Sequence, residues 1–174
     1  MGWNKTLKDI TKKTEEWVNI EMLADKSLSK IDLIKEFFDV NDEIRIIRDT
    51  IFREEQNIPY DKEYDSDENR YIHLCFFVSN KIIAYARVLF EKNGVIISRI
   101  AVLHEYRYKG YGSEVLQIIE NKALDNKCHF SELDAQTQAI KFYETNGYDS
   151  IGNVHLEAGI PHIKMRKTLL QGEM

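Results

Sequence analysis

The run Val102-Leu103-His104-Glu105-Tyr106-Arg107-Tyr108-Lys109-Gly110-Tyr111-Gly112 joins an apolar segment to an amphipathic one. Upstream, Val95 to Val102 is short, β-branched and bounded by Asn93-Gly94, which predicts a strand. Downstream, Val115, Leu116, Ile119 and Ala123 recur at three- and four-residue intervals, the stripe of a helix of about 15 residues. Gly110 and Gly112 allow a tight turn in which the N–H groups from Tyr108 to Gly112 face one concavity, and the helix start adds partial positive charge. With Arg107 and Lys109 as mobile cations beside those donors, a phosphate or pyrophosphate is the expected guest. The plainer reading is a glycine-bearing loop with solvated basic residues. Val115 stands where a dinucleotide fingerprint would need its third glycine, and no Gly-Lys-Ser/Thr follows, so neither of the two commonest phosphate loops fits.

The chain has 174 residues, 43% of them hydrophobic, enough for one ordinary core. Residues 1–14 read as an N-terminal extension and residues 15–174 as one domain. A net charge of −5 argues against nucleic acid as a general partner. Cys75 and Cys128 match no metal spacing, nor do the five histidines, so free thiols and no metal are expected. No run approaches the ~18 apolar residues of a membrane helix and no signal-peptide core is present, which makes the cytoplasm the expected compartment.

Met1 to Thr14 reads either as a short docked helix or as a frayed end, and Glu16 to Met22 alternates as a first strand. Helices are expected from Ser29 to Phe38 and from Asp42 to Gln56, the second capped by Asn41 and stopped by Pro59. The loop Asn57 to Arg70 is rich in acid and reads either as a solvated surface or as a lure for a cationic amine. Tyr71 to Val78 and Lys81 to Phe90 predict a hairpin about Ser79-Asn80. After the central helix, Phe130 to Ala135 should return as a parallel strand by a right-handed crossover. The chain should close with a hairpin, Ile151 to Leu156 and Ile163 to Leu169, turning at Gly159-Ile160-Pro161.

A second informative stretch is Gln136 to Tyr148, a short helix ended by Asn146-Gly147 as a left-handed cap. Together, Arg107-x-x-Gly110-x-Gly112 and Ala139-x-x-Phe142-Tyr143-x-x-x-Gly147-Tyr148 resemble the GNAT superfamily of N-acetyltransferases, with Gln136 where asparagine is usual. The likeness covers about residues 15 to 168. Phe52-x-x-Glu55-Gln56-Asn57-x-Pro59 and Gly159-Ile160-Pro161-His162-Ile163 look more narrowly like the ElaA-like subgroup.

That resemblance implies an α/β (α+β) domain with a mixed, mostly antiparallel sheet of six or seven strands flanked by helices and splayed near the turn. It implies acetyl-CoA as cosubstrate, held by Ile100, Ala101, Val102, Arg107, Tyr108, Lys109, Gly110, Tyr111, Gly112, Ser113, Gln136 and Phe142. The acceptor would be a primary amine of a small molecule or peptide, and a homodimer is compatible with the likeness. Acyl transfer from a thioester needs a neutral amine, donors for the oxyanion and a proton for the departing thiolate. Tyr143 is the expected acid, because phenol and thiol acidities are close. Family members often carry a glutamate before the turn, but Ser98-Arg99 offers no carboxylate, which leaves Glu55, His73 and His162 as base or substrate-site candidates. Glu55 also reads as a helix end, and both histidines as structural. A non-catalytic acyl-CoA-binding sensor or interaction module is the competing function.

Overall fold

The computed structural model describes residues 3–7, 18–22 and 30–169, the first two segments as backbone. They cluster into two compact units. One takes in the described residues up to Arg87 together with Arg99–Val115, and the other Val88–Ser98 with the residues from Leu116 onward.

In the first unit, β1 (Trp3–Leu7), β2 (Val18–Met22), β3 (Leu33–Phe37) and β4 (Ile72–Val78) pair antiparallel in sequence order. They are continued by β5 (Lys81–Phe90) and β6 (Gly94–Val102). Ser79 and Asn80 both take positive φ, 48° and 62°, the two-residue turn whose twist matches a hairpin. Two expectations fail here. Residues 3–7 form a strand where a short helix or frayed end was expected, and the rest of 1–14 lies outside the described residues. A helix was expected from Ser29 to Phe38, of which Ser29 lies outside the described residues, and Leu33–Phe37 form strand β3 instead. Ile31, Ile34 and Phe37 do lie three residues apart, but Leu33 and Phe37 pair with Phe77 and His73, and this long-range ladder overrides the local pattern.

Helix α1 (Asp42–Arg48) begins where expected, with the Asn41 side chain accepting from the Ile44 N–H at 2.9 Å. It widens into a π-helical turn over Asp49–Glu55, and the Gln56 N–H bonds the Ile51 carbonyl five residues back. Ile44, Ile47, Ile51 and Phe52 thereby stay in one core with Phe37, Cys75, Phe77 and Tyr85. Asn57 then turns left-handed, and Pro59 caps the short α2 (Tyr60–Glu63).

In the second unit the order is β5-β6-β7-β9-β8, with β7 at Phe130–Gln136, β8 at Asp149–Glu157 and β9 at Ile160–Thr168. The β6–β7 ladder is parallel and short, from Gly94–Phe130 to Ile97–Leu133. Helix α3 (Tyr111–Asp125) makes the crossover, burying Leu116, Ile119 and Ala123, and α4 (Ile140–Thr145) follows β7. The last hairpin turns at Ala158 and Gly159, both left-handed, so Pro161 lies inside β9 and not in the turn. Gly152, with φ 80°, accompanies a register break between Ile151 and His155 in β8.

Strands β3 to β9 make the expected mixed, mostly antiparallel seven-stranded sheet, and β1 and β2 extend it at one edge. Cys75 and Cys128 are free and buried. Among the described residues, no helix is long and apolar enough to cross a membrane.

Candidate active site

The turn after β6 is built from backbone bonds. Leu103 N–H donates to Ile83 O at 2.9 Å, His104–Tyr106 makes one tight turn, and Arg107 N–H closes it on His104 O. Tyr108 and Gly110 then take φ 58° and 88°, and α3 starts at Tyr111. Alternating left-handed residues swing successive N–H groups to one side, the concavity in which anions bind. Tyr108 adopts this conformation while fully exposed, so side-chain packing does not offset its steric cost.

Arg107 and Lys109, expected as mobile cations, are both held by the fold. The Arg107 guanidinium grips Glu55 with both terminal nitrogens, at 2.5 and 2.9 Å, and donates Nε–H to Val102 O at 2.8 Å. That grip holds the Glu55 carboxyl below the usual carboxylate range. Lys109 Nζ donates to Glu105 O at 2.8 Å. A cation that sequence reading missed stands beside Gly110: Lys30 Nζ donates to the Lys109 carbonyl and lies 3.5 Å from where a Cβ on Gly110 would be.

In the same unit, β6 carries a left-handed residue, Arg99 at φ 53°, immediately before Ile100, Ala101 and Val102. Its side chain is tied down by the segment read as a solvated acidic loop. Glu63 is fully buried, with one carboxylate oxygen on Arg48 Nε at 2.5 Å and the other on Arg99 Nε at 2.7 Å. Arg99 Nη2 also donates to Lys62 O. Burial pushes the Glu63 carboxyl up, and the two guanidiniums oppose it. Glu68 takes both Arg48 and Arg87, Asp65 takes Arg87, and Asp67 meets Arg70. Most of the acid that could have drawn an amine is therefore already neutralised within the fold.

His73 belongs to this network. Its Nε2–H donates to Glu68 O at 3.2 Å and its Nδ1 accepts from the Tyr85 hydroxyl at 2.6 Å, so both nitrogens are committed. Burial pushes its pKa down to about 4. It is a neutral structural histidine at neutral pH.

The second unit holds the other candidates. Tyr143 is buried on α4, edge-on to Phe142 and to Tyr148, and burial raises its phenol above the usual value. Gly147 at φ 90° closes the helix, with its N–H on Glu144 O. Tyr148 is fixed by Ser131 at 2.8 Å and by Glu120 at 3.0 Å. Glu120 is in turn held by Lys167 at 2.6 Å. His162 on β9 lies opposite Gln136 at the carboxyl end of β7 and opposite His155 on β8. Its Nδ1–H donates to Ile160 O at 2.7 Å, which leaves Nε2 with the lone pair, and its ring stacks on His155 at 6.2 Å. Asp134, His155 and Glu157 bring ligand atoms within 4.8 Å of one another at the surface, the arrangement among the described residues that could hold a metal ion.

Residues 52–169 match the family model described as an acetyltransferase (GNAT) domain. Over 122 residues the chain is 34% identical to YjcF of Bacillus subtilis (strain 168), named an uncharacterized N-acetyltransferase, covering 70% of this chain and 87% of that one. Protein ElaA of Escherichia coli (strain K12) is 31% identical over 137 residues, 72% and 85% of the two chains. The crystal structure of Escherichia coli ElaA matches with a TM-score of 0.65 at 24% identity, over 79% of this chain and 99% of that one. An aminoglycoside 6′-N-acetyltransferase complexed with coenzyme A shares the fold, with a TM-score of 0.60 at 15% identity over 81% and 99% of the chains.

Proposed function

The chain belongs to the acetyltransferase (GNAT) family, and on that premise we propose that it transfers an acetyl group from acetyl-CoA directly to a primary amine of a small molecule or peptide. The observation that carries the reading is the turn from Arg107 to Gly112, where two left-handed residues present backbone N–H groups at the start of a 15-residue helix. Such a turn suits the diphosphate of coenzyme A: the donors are main-chain, and a side chain on Gly110 would have to adopt φ 88°.

In this proposal the main chain of Ile100 to Val102, entered through the left-handed Arg99, lies along the pantetheine and polarises the thioester carbonyl. The amine nitrogen bonds to the carbonyl carbon, the carbon–sulfur bond breaks, and Tyr143 donates toward the sulfur. The phenol is protonated at neutral pH, and burial, which raises its pKa, disfavours a free phenolate, so the proton has to pass as the sulfur takes on charge. Of the three base candidates, Glu55 is held as a carboxylate by Arg107 and His73 has no free nitrogen. His162, with Nε2 directed by the bond at Nδ1, is the group we assign to receive the amine proton.

The test is to incubate the purified chain with acetyl-CoA and a panel of primary amines, follow free thiol, and measure acetyl-CoA binding by calorimetry. Amine-dependent thiol release is expected. Absence of acetyl-CoA binding would overturn the cosubstrate assignment, whereas binding without transfer to any amine would favour a non-catalytic acyl-CoA sensor.

A further inference from the structure

We infer that Glu55 and Arg107 are positioning residues for coenzyme A: their paired side chains brace the turn that receives the diphosphate, and Arg107 is a strut of that turn instead of a phosphate ligand. The inference rests on the reading of the turn as the coenzyme A site and gives Glu55, 52 positions away from Arg107, a part in it.

Arg107 comes immediately before the left-handed Tyr108 and is tied at three points. Its main-chain N–H donates to His104 O at 3.2 Å, its Nε–H donates to Val102 O at 2.8 Å, and its two terminal nitrogens meet the two oxygens of Glu55. One side chain thus links the last residue of β6, the start of the turn and the end of the π-helical segment. Lysine could not do this, because an ammonium is a point charge without the flat fork that spans a carbonyl and a carboxylate together. Glu55 is delivered to the pair by the π-helical turn Asp49–Glu55, a rare form that recurs at functional sites. Ile51 and Phe52 of that turn stay buried while the exposed Glu55 reaches Arg107.

The brace has strain to hold. Tyr108 takes φ 58° with its side chain fully exposed, and Gly110 follows at φ 88°. Helix α3 fixes the turn from Tyr111 onward, and Arg107 fixes it from the other side. A turn already held in this shape binds an anion with little ordering cost, whereas a loosened one passes that cost to the ligand. Charge alone argues the opposite effect for Glu55. If Arg107 were a phosphate ligand, the carboxylate would compete with the diphosphate for it, and removing Glu55 would tighten binding. A brace requires that the same change weaken it, so the sign separates the two roles.

The test measures calorimetric affinity for acetyl-CoA in Glu55→Ala, Arg107→Ala, the double variant and Arg107→Lys, with thermal unfolding to establish that each is folded. Each alanine variant should bind about 3- to 10-fold more weakly than the parent, and the double variant no more weakly than Arg107→Ala alone. Arg107→Lys keeps the charge and should lose nearly as much as Arg107→Ala. Unchanged or tighter binding by folded Glu55→Ala would overturn the brace, and so would parent-like binding by Arg107→Lys, since both would make Arg107 a phosphate ligand. Losses that multiply in the double variant would also overturn it, because the two residues would then act separately. Should Glu55→Ala fail to fold, Glu55→Gln keeps the side chain's shape, removes its charge and carries the same expected sign. If the parent chain did not bind acetyl-CoA, the reading of the turn would fail, an outcome distinct from a failure of the brace.

Discussion

Glu63 and Arg99 meet at 2.7 Å across 36 residues, and the arginine they fix is the residue where β6 turns left-handed. A carboxylate with no solvent exposure thus anchors the backbone just ahead of Ile100 to Val102. Removing it would leave Arg48 and Arg99 without the partner they share. Glu63→Leu is therefore expected to cost about 3 kcal/mol in chemical denaturation, the lower end for breaking a buried ion pair, because Arg48 keeps Glu68 and Arg99 keeps the Lys62 carbonyl. Arg99→Gly should cost clearly less, because glycine takes φ 53° without strain and Glu63 keeps Arg48. Equal losses in the two variants would mean that strain relief at residue 99 and the remaining Arg48–Glu63 pair together do not offset the lost Arg99 contacts.

His73 makes stability depend on pH. Its folded pKa of about 4 lies below the ordinary 6.5, so the unfolded chain binds the extra proton first on acidification. The stability contributed by neutral His73 is complete above about pH 6.5 and is lost as pH falls toward 4, at most about 3 kcal/mol. Denaturation midpoints measured from pH 7 to 4 should fall, and the fall should be shallower in His73→Gln. A parallel fall in both proteins would assign the slope to other groups.

Tyr143→Phe keeps the ring against Phe142 and Tyr148 and removes the hydroxyl. Turnover on the best amine should drop by about 10²-fold while acetyl-CoA affinity stays within a factor of about two. Unaltered turnover, in an assay limited by chemistry, would take Tyr143 out of the mechanism.

Gly110→Asp should abolish acetyl-CoA binding, since it puts a β-carbon at φ 88° and a carboxylate where the diphosphate is expected. A Cβ there would meet only Lys30 Nζ at 3.5 Å, an ordinary contact, so the variant should fold with a loss of about 1–2 kcal/mol from the backbone. Calorimetry on the folded variant decides the point, and retained affinity would move the cosubstrate elsewhere.

Local grammar made much of this chain legible. Asn41 caps a helix, Ser79-Asn80 turns a hairpin, Gly110 turns left-handed before α3, and Gly147 ends α4, each through residues a few positions apart. The errors fall where meaning is long-range. Ile31, Ile34 and Phe37 satisfy a helical stripe, and only pairing with β4 makes a strand of the segment containing the last two. Asp65, Glu63 and Glu68 look like solvated charge because Arg48, Arg87 and Arg99 stand 15 to 36 residues away. For the same reason Arg107 looked mobile: nothing in its own neighbourhood announces Glu55, 52 positions earlier.

The break at Gly152 falls in an edge strand. Strand β8 ends the sheet order, shows Val154 and Leu156 to solvent, and would, if flat, be a template onto which a second chain could add its own strand. The register shift between Ile151 and His155 bends that edge in its middle, so no long run of donors and acceptors stays in line. A strand added at this edge would have to break register at the same point, so the left-handed glycine removes the flat, continuous edge that such addition needs beside the exposed apolar pair.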